Sequence, residues 1–327
     1  MDMKTIKKLM ALMLSLVMML ALGVTAFAED NGGAATTYKI TAPATTHQYE
    51  IYQIFTGDLS NGVLSNVKWG ENGKGTKGET VAENDLNALT AVNSRSDREK
   101  LDVIKQYAVL SNPVATITNG GIYTAAAGYY LIKDKDGTVT GTDTYTTYIV
   151  EVVGNVTIAP KSEVPSFEKK IKDTNDTTGE TSGWQDSADY DIGDAVPFKL
   201  EGTVSSKYAD YKQYYFAFHD VEETGLTFNR DSVKVYVNDT EITTGYEVKT
   251  SGITDGCSFE VIFSNLKEIA SVQAGSKIRV EYTSTLNNGA VIGNQGNLNK
   301  AKLEFSNNPN EEQDGNKKPS TGETPWD

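Results

Sequence analysis

Three polar residues extend the apolar faces of three separate alternating segments, and together they could make an amide. In Phe167-Glu168-Lys169-Lys170-Ile171, period-two alternation puts Lys169 on the face of Phe167 and Ile171 and turns Glu168 and Lys170 outward. In Tyr214-Tyr215-Phe216-Ala217-Phe218-His219-Asp220, the face of Tyr214, Phe216 and Phe218 also carries Asp220, while His219 alternates outward and reads as a surface residue. In Asn299-Lys300-Ala301-Lys302-Leu303-Glu304-Phe305, Asn299 shares the face of Ala301, Leu303 and Phe305. A lone buried ammonium or carboxylate is costly, so each must be paired or neutralised. Burial drives a lysine pKa down and an aspartate pKa up. A neutral amine is a nucleophile, and a protonated carboxyl can polarise an amide and move protons as ammonia leaves. The product would be a Lys–Asn amide between the first and last strands of one domain. The same residues also fit a plainer arrangement, a buried Lys–Asp salt bridge with Asn as a hydrogen-bonding neighbour. Strand parity alone leaves Lys170 as the alternate to Lys169, and Asn297 as the alternate to Asn299.

The elements that must position these residues are short strands. After Ala159-Pro160-Lys161-Ser162-Glu163-Val164-Pro165, whose two prolines suit an extended linker, alternation predicts strands over 167–171, 195–203, 214–220, 233–237, 258–263, 277–284 and 299–305. Seven short strands with turns between them predict an immunoglobulin-like sandwich. Ahead of the linker, 38–40, 49–55, 129–132 and 145–153 alternate in the same way. A helical interval interrupts them: Ser96-Asp97-Arg98-Glu99 is a capping box ahead of Leu101, Ile104 and Ala108, and 85–92 fits a second short helix. The fold expected is therefore all-β, two tandem sandwiches, the first with a short helical insert.

The domains follow from this. Residues 1–28 read as a secretory signal, with Lys4, Lys7 and Lys8 before the apolar run 9–22 and Ala26-Phe27-Ala28 at the cut. A first domain spans 29–159, a linker 160–166, the second domain 167–308, and a polar tail or linker 309–327. Among the 327 residues there are one cysteine (Cys257) and two histidines (His47, His219), too few for an internal disulfide or for a zinc site of His and Cys alone. A formal charge of −14 without a basic block excludes nucleic acid as a partner. All six methionines precede residue 20, which with the lone cysteine suits an exported chain exposed to oxidants. No cofactor or metal is expected. Asp134-Lys135-Asp136-Gly137 reads as a hairpin turn rather than a calcium loop, and Cys257 as an ordinary thiol in a turn with no partner histidine evident.

The segments around Lys169, Phe218-His219-Asp220 with Gly225-Leu226-Thr227-Phe228, and Gly296-Asn297-Leu298-Asn299 through Asn307-Asn308-Pro309 resemble the fimbrial isopeptide-forming domain. That domain belongs to the backbone pilins of Gram-positive, sortase-assembled pili, and the likeness covers roughly 160–309. The resemblance implies Cna-type sandwiches, Lys169 and Asn299 as bonded partners, and Asp220 as the catalytic acid. Tyr49 through Phe55, Lys68-Trp69-Gly70 and Ala127 through Ile132 resemble the first domain of such pilins. Ile158-Ala159-Pro160-Lys161 then stands where the pilin motif falls, which implies Lys161 as the lysine that sortase joins to the next subunit; Ala159 occupies a position often held by Tyr. Such pilins continue into a third domain and a Leu-Pro-x-Thr-Gly sorting signal. Lys318-Pro319-Ser320-Thr321-Gly322 differs from that signal, so the chain is expected to be a truncated pilin or a fragment.

The function expected is a structural subunit of a cell-surface pilus, not an enzyme beyond a single self-directed bond. Its expected partners are other pilin subunits, a pilus-specific sortase and a possible host surface ligand. The alternative is a wall-associated adhesin built on the same sandwich.

Overall fold

The computed structural model describes residues 37–60, 63–90, 97–159, 165–175, 177–293, 295–311 and 318–327. Residues 1–28, expected to be a secretory signal, Ser96 of the expected capping box, and Lys161 with its neighbours 160–164 lie outside the described residues. The chain divides into two compact units, one of 1–140 and 145–161, the other of 141–144 and 162–327.

The first unit contains β1 (Thr37–Thr41), β2 (Gln48–Ser60), β3 (Val63–Trp69), α1 (Glu83–Thr90), α2 (Asp97–Lys105), β4 (Ala115–Thr118), β5 (Ile122–Ala126), β6 (Gly128–Asp134), β7 (Thr147–Val152) and β8 (Val156–Thr157). A sheet of order β3-β2-β6-β7, with β4 also on β2, forms its centre, and β5-β1-β8 forms a second sheet. Both faces of the central sheet are apolar because its strands alternate between two cores. Tyr52, Ile54, Leu131 and Ile149 meet Leu89 of α1 and Leu101 and Ile104 of α2. Tyr49, Ile51, Tyr130, Ile132 and Val150 meet Ile40 of β1 and Val156 of β8. The helical interval is thus a lid on one face of the sandwich. The Lys135-Asp136-Gly137 segment is a turn, with Gly137 at φ +78°, a conformation glycine adopts without a Cβ clash.

The second unit contains β9 (Phe167–Ile171), β10 (Ala195–Thr203), β11 (Phe216–Glu222), β12 (Leu226–Val237), β13 (Thr240–Ile242), β14 (Glu247–Lys249), β15 (Phe259–Phe263), β16 (Lys277–Leu286), β17 (Asn299–Ser306) and β18 (Thr321–Glu323). Two five-stranded sheets, β13-β12-β16-β10-β9 and β14-β15-β11-β17-β18, enclose one core. Its centre is aromatic, with Phe216 and Phe218 edge to face at 5.4 Å and Phe259 against Tyr282 at 4.9 Å. The tight approach of the sheets explains Gly202 in β10: a Cβ there would come within 2.9 Å of the Phe216 ring.

The C-terminal segment departs from the expected tail. Thr321–Glu323 forms an edge strand antiparallel to β17, pairing Ser306 with Thr321 and Glu304 with Glu323. Beyond it, Asp327 exchanges both backbone hydrogen bonds with Ala301, at 2.8 and 2.9 Å. The edge of β17 offers a row of unpaired backbone groups, and even a Pro- and Gly-containing segment satisfies them. The strand bearing Asn299 is therefore not the last of its domain.

Candidate functional site

The sheets bring Lys169, Asp220 and Asn299 to one point of the second unit's core. Lys169 lies mid-way along β9, the strand at the edge of its sheet beside β10, opposite Leu200. Asp220 belongs to β11, the central strand of the facing sheet, opposite Ala301 of β17, and Asn299 opens β17 opposite Glu222. The lysine thus reaches across the sandwich to two neighbouring strands. Its Nζ donates to Asn299 Oδ1 at 2.6 Å, to the Tyr282 hydroxyl at 3.0 Å, and to Asp220 Oδ2.

Tyr282 of β16 is the residue that the sequence reading missed. Its hydroxyl accepts from Lys169 Nζ and from Asn299 Nδ2 at 3.0 Å, and donates to Asp220 Oδ2 at 2.8 Å. That uses the one proton and two lone pairs a phenol has, so a single group holds all three others in register. The alternation Ile278, Val280, Tyr282 already put it on the core face, but a core tyrosine reads as packing. The Phe198 and Tyr282 rings stack at 5.4 Å and wall the amine, with Nζ 5.3 and 5.7 Å from their centroids.

Burial sets the protonation. Asp220 is fully buried and Lys169 is 7% exposed. Desolvation pushes the Lys169 amine below the ordinary lysine range, against the attraction of Asp220, and pushes the Asp220 carboxyl up, against that of Lys169. Both shifts favour a neutral amine beside a protonated acid. Asp220 Oδ1 has no hydrogen-bond partner, which further disfavours the carboxylate. Glu222, two residues along the same face, accepts from Ser284 Oγ, and burial pushes its carboxyl up to about 7. The arrangement can perform acyl transfer: a neutral amine lies against an amide, with Asp220 as proton carrier and the Tyr282 hydroxyl accepting from both amine and amide.

The alternates lie elsewhere. Lys170 points outward to Asp186 Oδ1 at 2.5 Å, and Asn297 is held in a loop by Val291, accepting from its N–H at 2.8 Å. Asp327 Oδ2 accepts the backbone N–H of Lys169 at 2.8 Å, so the C-terminal segment also fixes β9.

Two outer residues differ from their expected settings. His219 does point away from the core, yet it is 5% exposed, because neighbouring strands bring Glu260 and Glu304 over it and Asp255 closes the side. Cys257 has a histidine close by after all, with Sγ 3.9 Å from His219 Nδ1.

Fold and geometry define a tandem β-sandwich protein whose second unit buries a Lys–Asp–Asn cluster between its sheets. Residues 192–309, within the second unit, match the family model described as Gram-positive pilin backbone subunit 2, Cna-B-like domain. The trypsin-resistant surface T6 protein of Streptococcus pyogenes serotype M6 is 28% identical over 173 residues, which are 48% of this chain and 28% of that protein. The full-length major pilin SpaD from Corynebacterium diphtheriae shares the fold, with a TM-score of 0.51 at 18% identity over 92% of this chain and 66% of that one. The chain therefore spans less than two thirds of the length of either relative.

Proposed function

We propose that the protein is a structural subunit of a Gram-positive cell-surface pilus, tied internally by an isopeptide bond between Lys169 Nζ and Asn299 Cγ. The observation that carries the reading is the amine 2.6 Å from the Asn299 carbonyl oxygen in a buried aromatic pocket beside Asp220. The neutral amine attacks Cγ, and Asp220 gives its proton to the amide nitrogen, Nδ2, as it becomes the leaving group. The acid then takes a proton from the former amine, the Cγ–Nδ2 bond breaks, and ammonia leaves. One C–N bond forms and one breaks, so no oxidant or cofactor is consumed. The reaction happens once per molecule, and the protein is not an enzyme in the turnover sense.

A cross-link between an edge strand of one sheet and the facing sheet opposes separation of the two, as a fibre under tension requires. The match to the pilin-backbone domain supports the assignment to a pilus shaft. The signal-like segment at 1–28 supports export to the cell surface, and the likeness at 158–161 supports covalent joining to neighbouring subunits by a pilus sortase through Lys161. Intact mass tests the bond: the wild-type protein is expected to fall short of its sequence mass by one ammonia, and Lys169→Ala and Asp220→Ala to carry their full masses. A wild-type protein at full mass would refute the bond. A subunit ladder formed with the sortase and abolished by Lys161→Ala tests the linkage.

A further inference from the structure

On the opposite face of β11 from Lys169, a second polar cluster has the donor set and spacing of a metal centre. We propose that His219, Asp255, Cys257 and Glu260 bind a borderline divalent cation of the zinc type. His219 Nδ1 lies 2.9 Å from Asp255 Oδ2, 3.3 Å from Glu260 Oε1 and 3.9 Å from Cys257 Sγ, and Sγ lies 3.2 Å from Asp255 Oδ2. Zinc–ligand bonds of roughly 2.0–2.3 Å in a tetrahedron require donor atoms about 3.3–3.8 Å apart; His219 Nδ1, Asp255 Oδ2 and Cys257 Sγ all lie within 4.8 Å of one another and bracket a space near that size, with Glu260 Oε1 beside the imidazole. One imidazole, one thiol and two carboxylates suit zinc far better than calcium or magnesium, which take oxygen alone.

The surroundings are those of a built centre. His219 Nε2 meets Glu304 Oε2 at 3.0 Å, a carboxylate partner of the kind that orients a ligating imidazole and leaves Nδ1 for the metal. Glu304 is itself held by Thr321 Oγ1 at 2.5 Å and Lys318 Nζ at 2.6 Å. Asp255 Oδ1 accepts the Cys257 backbone N–H at 3.1 Å, which fixes the turn that carries two of the donors. His219 and Glu260 are buried, while Asp255 is exposed and Cys257 partly open, so an ion can enter from the turn side. Three carboxylates converge on one imidazole, and Lys249 on Glu260 and Lys318 on Glu304 offset them in part. On binding, the thiol proton and the Nδ1 proton leave to solvent, and Nε2–H remains bonded to Glu304.

Cobalt(II) titrated into the metal-free whole chain is expected to produce a thiolate-to-cobalt charge-transfer band that zinc abolishes by displacement. Cys257→Ser should remove the band, and both Cys257→Ser and His219→Ala should weaken zinc binding, read by calorimetry, at least about tenfold. Glu304→Gln should keep the band and weaken zinc about tenfold, as loss of an orienting partner does. Circular dichroism of the metal-free variants checks that each is folded. No charge-transfer band in the wild type, or zinc affinity unchanged in folded His219→Ala, would overturn the proposal.

Discussion

Each unit buries an aspartate against a basic side chain, and the two pairs have different surroundings. In the first, Asp134 takes His47 Nδ1 on one oxygen at 3.0 Å and the Thr146 backbone N–H on the other at 2.6 Å. Both oxygens are satisfied, one by an imidazole and one by a backbone N–H, and neither partner is an aliphatic amine. In the second, Asp220 leaves one oxygen unpaired, its partner is an aliphatic amine, and a carboxamide lies against that amine. Burial raises both carboxyls, Asp134 against backbone and histidine hydrogen bonds and Asp220 against Lys169. The shift alone therefore does not make chemistry. The third group does, together with an amine that can become neutral.

The comparison breaks most visibly at Asp220. Asp220→Ala should restore full mass and remove a tie spanning 130 residues. The chain-entropy term for a cross-link of that span is about 5 kcal/mol, measurable by denaturant unfolding. Glu304 offers a third buried carboxylate of opposite behaviour. Burial alone would raise it, but hydrogen bonds from His219, Lys318 and Thr321 outweigh that and lower it to about 2. A lowered carboxyl stabilises the folded state above its unfolded value of 4.5, and that stability is lost as pH falls through about 2. At 1.36 kcal/mol per unit the contribution is roughly 3 kcal/mol, so the wild type should lose its advantage over Glu304→Gln as unfolding is followed from pH 5 to pH 2. Asp134→Asn should cost about 2 kcal/mol by weakening a buried hydrogen-bonded pair, with the mass unchanged apart from the substitution. Loss of an ammonia-sized deficit in that variant would erase the distinction between the units. Tyr282→Phe removes only the bridging hydroxyl. It should cost about 1 kcal/mol and leave a fraction of molecules unlinked shortly after synthesis, read by intact mass over time.

The cluster was legible where period two decides. Parity alone put Lys169, Asp220 and Asn299 on core faces, because a one-residue slip would have exposed Phe167, Phe218 and Leu303 together. Strand bounds at 167–171 and 195–203 were legible for the same reason. Parity does not say what covers an outward face, so His219 read as exposed although β15 and β17 bring glutamates over it. It also does not weigh a hydroxyl: Tyr282 looked like one more core aromatic. β18 was illegible because its three residues contain no alternating apolar side chains; the free edge of β17 selects it through backbone hydrogen bonds. Counting histidine and cysteine excluded a site made of those alone, and says nothing of the cluster that His219 and Cys257 form with Asp255.

The central claim is that the buried amine and amide become one bond. Proteolysis of the wild-type chain followed by fragmentation mass spectrometry tests it most directly. The account predicts a branched species in which the Lys169 peptide is joined to the Asn299 peptide with loss of one ammonia, absent from Asp220→Ala. Recovery of both peptides only as separate linear species from the wild type would contradict it.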